Sequence, residues 1–205
     1  MNREIVLASD NPGKLKEIKL LLRDSGFTVV GQMSLDVVPA EETGKTFVEN
    51  AILKARNASR QTGRPALADD SGLEVDALDG APGVRSARFA GNEASDKDNV
   101  AKLLAALGGV PGARRSARFQ CLMVYLRGVD DPAPLICQGT WAGSITDEPQ
   151  GDNGFGYDPI FWATEQNRTA AELDKDQKNI LSHRGQALRA MIAQLQSEEK
   201  QLFCL

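Results

Sequence analysis

Apolar residues fill Ile5 to Ala8 without a break, and the run Glu4 to Ala8 predicts a buried first strand. The loop Ser9 to Lys14 follows. Asn11 fits a helix N-cap there, and Pro12 fits the first helical position. Leu15, Ile18, Leu21 and Leu22 then recur on one helical face, with Gly26 as the stop. Phe27 to Val30 reads as the next strand. Thr46 to Thr62 reads as a second helix with Phe47, Val48, Ala51, Ile52 and Ala55 turned to a core. Asn50, Lys54 and Asn57 share a neighbouring face at i, i+4, i+7, and Gly63 ends the helix. Pro65 to Asp69 is a short predicted strand that ends in Asp69-Asp70-Ser71-Gly72, and Leu73 to Leu78 continues as strand. Gly80 to Asn92 is a glycine-rich loop carrying Arg85 and Arg88. Ser95 and Asp98 form a capping-box pattern before a helix through Leu107, stopped by Gly108-Gly109. Ser116 to Leu126 and Leu135 to Ile145 are two β-patterned runs joined by Asp130-Asp131-Pro132, which predicts a hairpin. A short strand is expected at Ile160 to Trp162 and a helical entry segment at Thr169 to Asp174. The last predicted helix, Ser182 to Gln196, turns Leu188, Met191, Ile192 and Leu195 inward.

Helices and strands mix without strict βαβ alternation, so the pattern predicts an α/β fold built on a mixed sheet. A length of 205 residues suits one domain, 1–205, with room for two lobes. The net charge of −4 and the lack of a long basic block argue against binding of nucleic acid through a basic surface. No apolar run is long enough to span a bilayer, and the N-terminus lacks the layout of a signal peptide. Of three cysteines, Cys121 and Cys137 fall in apolar strand-like runs and Cys204 near the C-terminus, with no Cys-x-x-Cys pair. Buried or idle thiols in a reducing cytoplasm are expected. His183 is the one histidine, which excludes a histidine-based metal site or a two-histidine mechanism within one chain.

Four segments carry candidate chemistry. Gly151 to Phe161 places three glycines in six positions, with Phe155 and Tyr157 inside that frame and Asp158-Pro159 after it. It reads either as a long hairpin turn with two aromatics tucked inward or as a loop that grips a planar ligand. Ser9 to Lys14 is either an ordinary strand-to-helix turn or a phosphate cradle at a helix N-terminus. It is not a Walker A loop, because Leu15 follows Gly13-Lys14 and no glycine stands five residues earlier. Asp69-Asp70 is either a solvated turn or a carboxylate cluster whose burial a hard cation such as Mg²⁺ would relieve, with Glu41 or Glu42 as a further ligand. His183 and Arg184 would fall in a helix's first turn, where positive charge opposes the dipole. They mark either a surface helix start or a ligand contact.

These segments closely resemble the noncanonical purine nucleoside triphosphate pyrophosphatases, the inosine/xanthosine triphosphatase family. The likeness runs through Ser9 to Lys14, Glu41 to Gly44, Phe47 to Ala51 with Lys54-Ala55, Ala68 to Leu73, Gly80 to Val84 with Ser86 to Arg88, Gly154 to Phe161, and Ser182 to Gly185. Asp10 departs from it, standing where relatives often carry Gly, Ser or His. The resemblance implies an elongated mixed sheet with flanking helices and two lobes around a central cleft, a fold shared with Maf-like proteins, and a homodimer. It implies Mg²⁺-dependent hydrolysis of ITP, dITP and XTP to monophosphate and pyrophosphate. By the same resemblance Asp70 is the catalytic carboxylate and touches the metal, and Glu41 is a second metal-side carboxylate. Ser9, Asp10, Asn11, Pro12, Gly13 and Lys14 hold the triphosphate together with Lys54, which joins Asp70 in the catalytic set. Ser71, Phe155, Gly156, Tyr157, Asp158, Lys178, His183 and Arg184 surround the nucleoside.

Overall fold

The computed structural model describes residues 3–23 and 25–202. Cys204 lies outside them. Among the described residues seven strands form one sheet, in the order β2-β1-β3-β4-β5-β6-β7. They are β1 (Arg3–Leu7), β2 (Phe27–Gly31), β3 (Ala66–Val75), β4 (Ser116–Leu126), β5 (Leu135–Ile145), β6 (Phe161–Ala163) and β7 (Arg168–Thr169). The sheet is mixed: β1 runs parallel to β2 and β3, whereas β6 is antiparallel to β5 and β7. The helices are α1 (Pro12–Leu21), α2 (Phe47–Thr62), α3 (Asp96–Ala106), α4 (Lys175–Leu181) and α5 (His183–Leu202).

Local chemistry sets several boundaries. Asn11 caps α1 by accepting from the Lys14 N–H, and Thr46 with Glu49 and Ser95 with Asp98 form full capping boxes on α2 and α3. Gly63 closes α2 in the left-handed region. Gly26 does not cap α1. That helix stops at Leu21 with Leu22 as its cap, and Gly26, at φ +83, turns the chain toward β2.

Two compact units divide the chain. The first holds the described residues up to Asp70, Cys121–Gly139 and the chain from Gly185 onward. β1 is buried on both faces, which explains its unbroken apolar run. Ile5 and Leu7 pack with Ile18 of α1, with its cap Leu22, and with Leu188, Met191 and Leu195 of α5. Val6 and Ala8 pack instead with Ala51, Ala55 and Ala58 of α2. Cys121 and Cys137 are buried free thiols. The second unit, Ser71–Gln120 with Thr140–Arg184, centres on Val100, Leu103 and Leu107 of α3 against Phe119, Trp141, Ile145 and Phe161.

Two expectations need correction. The acidic stretch is no turn: β3 runs unbroken from Ala66 through Asp69 and Asp70 to Val75, and a 3-10 turn then takes Asp76–Leu78. The chain before the last helix also holds a helix of its own. α4 starts at a cap made by Asp174 and ends at Ser182, whose extended backbone separates it from α5.

Candidate active site

In the first unit, chemistry gathers where β3 meets α1 and α2. Neighbouring residues of a strand face opposite ways. Asp69 accordingly meets Lys14 at the start of α1, Nζ to Oδ2 3.0 Å. Asp70 meets α2: its Oδ1 lies 2.9 Å from Lys54 Nζ, and its Oδ2 accepts from Asn50 Nδ2 at 3.1 Å. Lys54 Nζ also donates to Glu42 Oε1 at 2.9 Å. Asn50 uses its carbonyl to accept from the Gly44 N–H at 2.8 Å, which ties the Glu41–Gly44 loop to the same helix. Gly44 permits that approach, since a Cβ there would lie 2.6 Å from Asn50 Oδ1.

Each buried acid is therefore matched by a lysine, which offsets the desolvation that a cation was expected to relieve. Burial pushes the Asp70 carboxyl above its ordinary value, against the opposing pull of Lys54 and Lys14. Burial also acts to lower the Lys54 pKa, but Asp70, Asp69 and Glu42 together outweigh it and hold the ammonium above its usual value. The rise at Asp70 thus comes chiefly from desolvation, with a smaller push from the Glu42 charge, and Asp69 is turned toward Lys14.

Ser9, Gly13 and Lys14 are half-buried, and Asp10, Asn11 and Pro12 are exposed. The Asp10 carboxylate accepts from Gln32 Nε2 at 2.8 Å. Glu41 is exposed, and the carboxylate brought to Lys54 is that of Glu42. Glu42 and Asp70 are hard oxygen donors converging on one ammonium, a set chemically suited to Mg²⁺. No three His, Cys, Asp or Glu side chains converge among the described residues, so water and phosphate oxygens would complete an octahedron there.

The second unit brings together the other predicted residues. Phe155 is half-buried, with Lys178 Nζ 4.8 Å and Arg184 Cζ 5.6 Å from its ring centroid. Arg184 donates to Ser71 Oγ at 3.0 Å. Lys178 Nζ lies 2.6 Å from Asp158 Oδ2, which also accepts from the Phe155 N–H at 2.8 Å. His183 is 5% exposed, and its ring stacks on Phe119 at 4.7 Å and 11°. Neither His183 nor Arg184 is on a surface helix start. Tyr157 is buried and donates its hydroxyl to the Ser86 carbonyl at 2.9 Å. Burial, with the nearby Asp96 charge, pushes its pKa up. Gly151, Gly154 and Gly156 all have positive φ, as a tight loop requires.

The Ham1 family model matches residues 5–194. The chain belongs to the Ham1 family. It is 54% identical to the dITP/XTP pyrophosphatase of Vibrio parahaemolyticus over 97% of this chain and 100% of that one. The HAM1 protein of Coxiella burnetii has a similar structure, with a TM-score of 0.89, 53% identity, and coverage of 95% of this chain and 99% of that one. The Staphylococcus aureus Ham1 protein gives a TM-score of 0.84 at 43% identity, over 96% and 100%. The mixed open sheet is the fold of this family.

Asn50, Phe119 and Asp96 complete these Ham1 clusters although the sequence did not single them out as site residues, and Glu42 enters there only as an alternative to Glu41. For Asn50 a signal existed, in the polar stripe it shares with Lys54 and Asn57. Glu42 shares all its local features with Glu41, so only the fold separates them.

Proposed function

We infer that this chain hydrolyses the triphosphates of noncanonical purines, dITP, XTP and ITP, to the nucleoside monophosphate and pyrophosphate, and so cleanses the nucleotide pool before such bases enter DNA or RNA. The observation that carries this reading is the buried Asp70 carboxylate held between Lys54 and Asn50, in a Ham1 chain whose relatives bear the name dITP/XTP pyrophosphatase.

Water oxygen attacks the α-phosphorus, the bond from that phosphorus to the α–β bridging oxygen breaks, and pyrophosphate leaves. Asp70 orients the water and takes its proton. Asn50 fixes the carboxylate's second oxygen. Lys54 brings a positive charge to the phosphoryl oxygens. The first turn of α1, from Ser9 to Lys14, offers backbone N–H groups to the leaving phosphates. Asp70, with Glu41 or Glu42, would hold Mg²⁺, which when bound neutralises charge developing on phosphoryl oxygens.

The base lies against Phe155, where Lys178 and Arg184 supply donors for a six-position carbonyl. Adenine carries an amino group there and would leave those donors unpaired, a mismatch that discriminates by roughly 10⁴–10⁵ in sites of this kind. The working form is a cytoplasmic homodimer. No helix of the described residues is long and apolar enough to cross a membrane. Sedimentation tests the dimer.

The decisive assay offers ITP, dITP, XTP, ATP, GTP, dTTP and UTP with Mg²⁺ and separates pyrophosphate from phosphate. Pyrophosphate from the first three is expected. Release of single phosphate, or equal rates on ATP and ITP, would overturn the reading.

A further inference from the structure

We propose that Asp96, on α3, is a positioning residue for base selection, acting through the backbone of the Phe155 loop. This rests on the base-side reading above. Asp96 Oδ2 accepts from the Gly156 N–H at 2.7 Å. That N–H follows directly on the Phe155 N–H, which Asp158 takes at 2.8 Å. Two carboxylates thus hold the two consecutive amides around the stacking residue, one from within the loop and one from another element.

The same helix is tied to the loop by a second route. Asn99, three residues after Asp96 and so on the same helical face, accepts from the Ala90 N–H at 2.7 Å and donates to the Ala87 carbonyl at 3.2 Å. Ala87 lies within the 3-10 turn Gly83–Arg88 and Ala90 just after it, and the Ser86 carbonyl of that turn receives the Tyr157 hydroxyl at 2.9 Å. Ser86 is itself fixed, because its Oγ donates to the Gly83 carbonyl at 2.6 Å and accepts from the Leu73 N–H at 2.9 Å. Gly156 and Tyr157 are therefore both referenced to α3, directly through Asp96 and indirectly through Asn99 and Ser86. Gly156, at φ +62, has a freedom that an external hydrogen bond must remove if the Phe155 ring is to keep one setting.

Asp98 supplies the control. It closes the capping box of α3 with Ser95, and its bonds there are to Ser95 and not to the loop. Asp98→Ala weakens the helix start as Asp96→Ala does, but leaves the Gly156 bond in place. The experiment measures kcat and KM for ITP and ATP in wild type, Asp96→Ala, Asp96→Asn and Asp98→Ala, with urea midpoints alongside. A hydrogen bond to a charged acceptor supports an expected rise of roughly tenfold in KM for ITP in Asp96→Ala, with kcat within about threefold. The ITP-over-ATP preference narrows, Asp96→Asn falls between it and wild type, and Asp98→Ala keeps the wild-type KM and preference. An Asp96→Ala enzyme matching wild type, or matching Asp98→Ala once stability is equalised, would overturn the assignment. Should Asp96→Ala fail to fold, Asp96→Asn decides: a raised KM supports the assignment and an unchanged one overturns it. Failure of wild type itself to release pyrophosphate from ITP would instead strike the function proposed above.

Discussion

Replacing Lys178 by methionine asks whether charge holds the Gly151 to Phe161 loop in shape. Lys178 Nζ and Asp158 Oδ2 are 2.6 Å apart, with side chains only 9% and 4% exposed. Methionine keeps most of the lysine stem but strands the carboxylate in a dry site. Breaking a buried pair from one side costs about 3–5 kcal/mol, because the remaining charge is uncompensated. The Phe155 N–H still serves that carboxylate, so the loss is expected near the lower end, about 3 kcal/mol. Asp158→Asn strands the ammonium in turn. The double variant leaves no stranded ion, so the two losses are not additive, and a coupling of about 1–3 kcal/mol is expected. Urea unfolding of the four proteins, with a common slope, measures it. A loss below about 1 kcal/mol in Lys178→Met is the size of a surface ion pair. That result, or strict additivity, would refute the argument that this pair is a buried strut. Lys178→Met is also expected to raise KM for ITP, since the ammonium lies beside Phe155.

Asp70→Asn is expected to abolish pyrophosphate release while ITP still binds; near-normal turnover would remove Asp70 from its role. Lys54→Met is expected to lower kcat by about 10²–10³, the cost of losing one aimed donor, and a change confined to KM would count against that. Gly154→Ala puts a Cβ into the Asp158 carboxylate at φ +77, so a loss of about 1–3 kcal/mol with weaker ITP binding is expected; wild-type behaviour would show that the loop has slack. The Ser95 hydroxyl and backbone N–H hold Asp98 below its ordinary value. Its stabilisation is therefore present above the unfolded value of about 3.9 and fades as pH falls through the depressed one. Asp98→Asn accordingly costs stability at about pH 7 and progressively less below about pH 4; an equal cost in thermal melts at both would contradict the sign.

What the sequence made legible was local. Asn11, Thr46 with Glu49, and Ser95 with Asp98 announce their helices within four residues, and the structure starts α1, α2 and α3 at those caps. The boundaries of β4 and β5 follow from an alternation that needs no distant partner. α4 escaped notice because Lys175 to Lys178 offers no apolar stripe, and its Lys178 is buried by a carboxylate twenty residues earlier in the chain. The clusters were legible as residue types, while their pairings were not. Nothing near Lys54 in sequence says that it chooses Glu42 over Glu41.

The acidic pair shows why such pairings stay hidden. Asp-Asp-Ser-Gly has the composition of a turn, and a strand through it is stable only if each acid finds a cation. Strand alternation sends the two acids to opposite faces, so each pairs directly with a lysine of its own. The fold answers with Lys14 on one helix and Lys54 on the other. That division separates two tasks that adjacency in sequence had merged. Asp69, fully buried against Lys14, fixes the start of α1, whose amides are proposed to meet phosphate. Asp70, on the α2 face with a neutral Asn50 and a lysine shared with Glu42, is the carboxylate proposed to meet the attacking water. Glu42 is the other acid on that side, and it reaches the same ammonium. Turning Asp69 toward Lys14 leaves Asp70 as the carboxylate held between Lys54 and Asn50, the one proposed to carry the chemistry.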